Sequence, residues 1–94
     1  MDEFQESIDS QPAPSLLAGE RRRFIEGHFE TGADISSLRR FVGLSQSKFA
    51  EGLGISVHTL RNWEQDRRRP EGPAIALLRI AARHPRVIRE NLEL

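Results

Sequence analysis

No cysteine occurs among these 94 residues, so neither a disulfide framework nor a Cys-based zinc site is available. Three histidines are present, His28, His58 and His84. They lie in separate segments without a ligand spacing such as HxxxH, so no metal site is expected. Long apolar runs are missing as well. The longest, Ala74 to Leu78, is far too short to cross a bilayer. The N-terminal MDEFQESIDS has no apolar centre and does not read as a secretory signal. A reducing, cytoplasmic setting without membrane attachment is the expectation. No Ser/His/Asp elbow, phosphate-cradling Gly-rich loop or paired-carboxylate motif occurs, and Gly52 and Gly54 of FAEGLG make no nucleotide fingerprint. The chain is therefore read as a non-enzyme with no cofactor. Its formal net charge is zero, which excludes a simple polycation.

That zero conceals a segregation. Residues 1–34 hold three Arg against eight acids, a net of −5, and residues 35–94 hold eleven bases against six acids, a net of +5. Such asymmetry suggests a nucleic-acid-binding part joined to an acidic part with another task. The acidic part would shield the chain's own basic surface or meet a basic protein.

The organisation follows from composition and spacing. Residues 1–15 are polar, acidic and interrupted by Pro12 and Pro14, and read as a disordered tail. Phe4 and Ile8 in it are four apart and would form one apolar stripe on a partner. Residues 16–33 read as a possible helix, Leu16 to Glu30, followed by a linker. Leu17, Phe24, Ile25, His28 and Phe29 would share its inner side. Residues 34–94 read as the main domain. Asp34 is placed to cap a helix whose stripe is Ile35, Leu38, Phe41 and Val42, and Gly43 ends it. Gly72-Pro73 starts a later helix, with Pro at its first position. His84-Pro85 breaks the chain before a last short helix at 87–92. No strand-type alternation and no repeat is visible, so the class is all-α.

The most informative stretch is Ser45 to Pro70, SQSKFAEGLGISVHTLRNWEQDRRRP. Phe49, Ala50 and Leu53 recur at i, i+1, i+4, giving one buried stripe on a helix capped by Ser45. Gly54 stands where a sharp turn needs positive φ. Ile55 returns to the core, and Ser56 is a good N-cap for the next helix. Val57, Leu60 and Trp63 then recur at i, i+3, i+6 and face the first helix, so Trp63 reads as core and not as a stacking platform for single strands. Two short helices sharing one core across a Gly-containing turn match a helix-turn-helix.

In that geometry the outward residues of the second helix reach base edges. Arg61 is the strongest candidate, because bidentate Arg to guanine is the commonest specific contact. Val57 is placed for a thymine methyl, His58 donates or accepts, and Asn62 suits adenine or phosphate. Gln46, Ser47 and Lys48 open the first helix, whose free N–H groups favour an anion. Ser56 and Thr59 do the same for the second. Arg67, Arg68 and Arg69 lie just beyond it and would flank the duplex. The plain alternative for each is solvated surface. Pro73 to Arg83 is apolar on more than one side. A second copy of the chain, helped by Val87, Ile88 and Leu92, or the N-terminal helix folded back would cover the surplus.

Over about 35–72 the sequence resembles the XRE-type family of DNA-binding domains, as found in phage repressors. The likeness rests on Arg39 four residues before Gly43, the GLSQ entry, the Phe49-Ala50 pair, LGIS, the WE pair and RRRP. It implies an all-α, five-helix lambda-repressor-like helix-turn-helix domain, here with an N-terminal extension. It also implies a structural ion pair between Arg39 and Glu64, and a homodimer on a double-stranded DNA operator. One departure is Asp66, where the family usually has Gly and where left-handed geometry is expected. The continuation RRRPEGPAIALL further resembles HigA-like antitoxins of toxin–antitoxin pairs. That likeness implies repression of the chain's own operon and neutralisation of a small, basic RelE/HigB-like ribonuclease toxin, contacted partly through the N-terminal segment. A stand-alone XRE-type regulator without a toxin, and an interaction module that lost DNA binding, are the rival readings.

Overall fold

The computed structural model describes residues 16–92, so the acidic tail at 1–15, with Phe4 and Ile8, lies outside the described residues. Among the described residues six helices follow one another: α1 (Ala18–Ile25), α2 (Gly32–Val42), α3 (Gln46–Leu53), α4 (Val57–Glu64), α5 (Pro73–Arg83) and α6 (Pro85–Glu90). Local chemistry sets most of the boundaries. Ser45 Oγ accepts the Lys48 N–H at 3.2 Å and Ser56 Oγ accepts the Thr59 N–H at 3.0 Å, satisfying N–H groups that each helix start leaves open. Gly43 and Gly54 close α2 and α3 at φ 88° and 77°, conformations that disfavour a side chain. Proline stands at the start of both α5 and α6, where no N–H is needed.

The core gathers one stripe from each helix. Phe24, Leu38, Phe49, Leu60, Leu78, Ala81 and Ala82 are completely buried, and Trp63 is 6% exposed. Burying such side chains is worth roughly 1.5–3 kcal/mol each for the large ones. Among the described residues no helix is long and apolar enough to cross a membrane.

The N-terminal region differs from the sequence expectation in three respects. The helix is shorter than Leu16 to Glu30, because Gly27 turns the chain at φ 90°. Leu17 is 72% exposed and His28 is also exposed, so neither belongs to an inner stripe. Phe29 reaches the core from a loop and stacks on Phe24, with ring centroids 4.9 Å apart. Asp34 does not cap α2. The helix begins two residues earlier, at Gly32, and the Asp34 carboxylate accepts the Glu30 N–H at 2.8 Å and pairs with Arg23 at 3.4 Å.

α1 runs antiparallel to α5 and covers one side of its apolar surplus. Each helix supplies an arginine to the other's C-terminal carbonyls. Arg21 donates from Nε to the Ala82 carbonyl at 3.0 Å and from Nη2 to that of Arg83 at 3.3 Å. Arg79 Nε donates to the Ile25 carbonyl at 2.8 Å. Cationic donors at helix C-termini satisfy orphan acceptors and complement the dipole. Ile80 and Val87 remain 43% and 49% exposed.

Glu64 ties α2, α3 and α4 together. Its Oε2 accepts from Arg39 Nε at 2.9 Å, and its Oε1 accepts from Ser36 Oγ at 2.9 Å, Gln46 Nε2 at 3.1 Å and Arg39 Nη2 at 3.3 Å. Both side chains are largely buried, 17% exposed for Arg39 and 6% for Glu64. Burial alone would push the Glu64 carboxyl up, but the bonds from Arg39, Gln46 and Ser36 outweigh it and hold it below the usual carboxylate range. For Asp34, burial likewise opposes, and the Glu30 N–H and Arg23 prevail.

Two measurements follow from this packing. Both carboxyls bind a proton more weakly folded than unfolded. Their contribution is thus complete above the unfolded value, about 4, and disappears as pH falls through the lowered folded values. Acid unfolding of the wild type followed by circular dichroism should show that dependence. Glu64→Gln should flatten it and cost about 2 kcal/mol at neutral pH, since the charged Arg39 loses its partner. Gly32 is buried where a Cβ would overlap the carbonyl of Glu64. Gly32→Ala should therefore destabilise by about 3 kcal/mol in denaturant titration, through overpacking against backbone that cannot yield.

Candidate nucleic-acid interface

α3 and α4 cross at a three-residue turn, Gly54–Ser56, and pack through Phe49, Ala50, Leu60 and Trp63. The small, fully packed Ala50, 1% exposed, lets the two backbones approach. On the outer side of α4, His58 and Arg61 are exposed, whereas Val57, Thr59 and Asn62 are half-buried. Val57 packs against the core and keeps only part of its surface for an outside contact. Ser56 and Thr59 share a hydroxyl–hydroxyl bond of 2.9 Å, which locks the first turn of α4.

The start of α3 lies beside this surface. Ser47 and Lys48 are exposed there, and Lys48 makes an open pair with Glu51 at 3.6 Å. Such a pair in water is worth little and yields readily to an anion. Gln46 is half-buried and bridges the two helices. Its Nε2 donates to Glu64, and its Oε1 accepts from Arg61 Nε at 3.4 Å. Of the residues expected to touch DNA, Gln46 is thus already engaged within the protein.

The three arginines after α4 divide by role. Arg69 donates to the carbonyls of Phe29 at 3.0 Å and Glu30 at 3.2 Å, so its guanidinium holds the α1–α2 loop. Of the three, Arg69 is thus already engaged within the protein. Arg67 and Arg68 are exposed and have no side-chain partner among the described residues. Arg68 borders an open cleft of about 430 Å³ between α4 and the following loop, shared with His58, Thr59, Asn62 and Trp63. The cleft carries a guanidinium, an imidazole and an amide, and the Glu71 carboxylate also lines it.

Asp66 was missed as a structural residue. It adopts φ 61°, the left-handed geometry expected at this position. Its carboxylate also accepts the Gly32 N–H at 2.7 Å, capping the first turn of α2 from the far side of the fold. The sequence signal was the departure from Gly itself, read for its left-handed backbone and not for a partner of the carboxylate's charge. That charge is directed at a helix start.

The comparisons with known proteins fit this geometry. Residues 35–79 match the helix-turn-helix family. The chain is 41% identical over 61 residues to Antitoxin HigA-2 of Vibrio cholerae serotype O1, covering 65% of this chain and 59% of that protein. It is 32% identical over 60 residues to an uncharacterized HTH-type transcriptional regulator, YiaG, of Escherichia coli K12, covering 64% and 62%. The chain thus spans about six-tenths of the length of these relatives. No solved structure matches it. Helix order, turn geometry and the family match agree on a helix-turn-helix domain over residues 35–79.

Proposed function

We propose that this protein is a sequence-specific DNA-binding transcriptional repressor that also acts as an antitoxin, silencing its own operon and neutralising a small, basic RelE/HigB-like ribonuclease. The observation that carries the DNA part is the outer face of α4. There an exposed Arg61 stands beside the open N-terminus of α3, with Arg67 and Arg68 at the flank. The N-terminal residues of α4 enter the major groove, with α3 and the arginines on phosphate. A homodimer sets two such helices about one helical turn, roughly 34 Å, apart on an operator and occludes the promoter. The exposed Ile80 and Val87 on α5 and α6 are apolar surface available to that pairing.

The antitoxin part is supported by the likeness to HigA-2 and by the acidic first third of the chain, which suits a basic ribonuclease. A stand-alone regulator is the second reading. It is favoured by the likeness to YiaG and by the docking of α1 on its own domain. An interaction module without DNA binding has less support, because the Asp66 carboxylate has a structural partner in the Gly32 N–H.

Binding to duplexes should weaken steeply with salt. Arg61→Ala should reduce preference between sequences by about ten- to a hundredfold and general affinity far less, read by fluorescence anisotropy. Arg68→Ala should weaken all duplexes alike and reduce the salt slope by about 1. For the antitoxin part, the tagged protein is recovered from its host after nuclease treatment, and co-eluting masses are measured. A stoichiometric small basic protein is the expected result, and its loss on deleting residues 1–15 would place the contact in the tail. Absence of any stoichiometric protein would favour the stand-alone regulator. Deleting residues 1–30 is uninformative about partners, since removing Phe24 and Phe29 from the core should unfold the domain.

A further inference from the structure

The structure assigns Gln46 as the residue that positions Arg61 for base reading, an inference that rests on the DNA-binding function proposed above. The Glu64 side chain is 6% exposed, and an ionised carboxylate only accepts hydrogen bonds. Gln46 must therefore turn its amide nitrogen to Glu64, at 3.1 Å. A flipped amide would set oxygen against oxygen, so chemistry fixes the orientation that crystallographic shape alone leaves open. The amide oxygen consequently faces outward, and it accepts from Arg61 Nε at 3.4 Å.

This makes a relay from a buried ion pair to an exposed arginine. Arg39 anchors Glu64, Glu64 orients Gln46, and Gln46 holds Arg61 by one corner of its guanidinium. Nη1 and Nη2 of Arg61 have no partner among the described residues. They form the donor fork that matches O6 and N7 of guanine. An arginine on a solvated helix loses much rotamer freedom when it docks. A tether already made in the free protein removes part of that loss before DNA arrives. Gln46 thereby acts on which base is preferred, and acts through Arg61.

The test is selection from a library of duplexes with a randomised centre, using wild type, Arg61→Ala, Gln46→Ala and Gln46→Leu. Affinity for an unselected duplex and Tm are measured alongside. Wild type should enrich guanine at one position of each half-site, and Arg61→Ala should abolish that enrichment. Both Gln46 variants should lower the same preference by about 3- to 10-fold, a larger factor than their loss of affinity for the unselected duplex. In the Gln46→Ala/Arg61→Ala double variant the Gln46 change should add nothing, as expected for residues that act as one unit. Retained guanine preference in both Gln46 variants overturns the inference. Equal weakening on every duplex also overturns it and makes Gln46 a phosphate ligand. A wild type that enriches no sequence overturns the sequence-specific function proposed above, and this inference with it.

Discussion

A single carboxylate organises the helix-turn-helix half of this fold. Glu64 is the last residue of α4, where the helix dipole disfavours negative charge, and it is nearly buried. Its stability there depends on donors from two other helices, Ser36 and Arg39 of α2 and Gln46 of α3. Arg39 also donates to the Leu44 carbonyl at 3.1 Å, so the same guanidinium fixes the α2–α3 connection. Three helices that apolar packing alone would leave free to slide are thereby set in one register. The angle between α3 and α4, on which groove entry depends, is defined by polar geometry as much as by Phe49 and Leu60.

Much of this half was legible from spacing. Phe49, Ala50, Leu53, Leu60 and Trp63 declared their burial by period, and Ser45, Ser56, Gly54 and Pro73 declared helix boundaries by local chemistry. The Arg39–Glu64 pair stands where the family resemblance put it. Other features were illegible for a common physical reason. Arg69 on Phe29, Asp66 on Gly32 and Arg21 on Ala82 join residues 40, 34 and 61 positions apart, and no local pattern reports such partners. A run of arginines looks alike whether its members face water or a carbonyl. Gly32 misled for a related reason. Glycine is a poor helix former, yet here it opens a helix because the Glu64 backbone leaves no room for a Cβ.

The charge asymmetry of the chain also takes on a structural meaning. Two of the three arginines of the acidic third do more than balance neighbouring acids. Arg21 serves the end of α5, and Arg23 serves Asp34 and lies over Phe24 at 5.3 Å. The basic two-thirds spends Arg39, Arg69 and Arg79 in the same way. What remains outward around α4 is a small set, Arg61, Arg67, Arg68 and Lys48. A protein with zero net charge can thus present a locally cationic face, with its selectivity resting on few side chains.

The exchange of arginines between α1 and α5 bears on the order in which the chain assembles. Arg79 and Ile25 are 54 residues apart, and Arg21 and Arg83 are 62 apart. Synthesis delivers α1 first, and domains gain their folded contacts as later segments emerge. α1 therefore leaves the ribosome well before the helix that receives it, with Phe24 uncovered for that interval. Closing so long a stretch also adds an entropic cost to its docking, one that grows only slowly with length. The helix that covers α5 is thus made before the surface it covers.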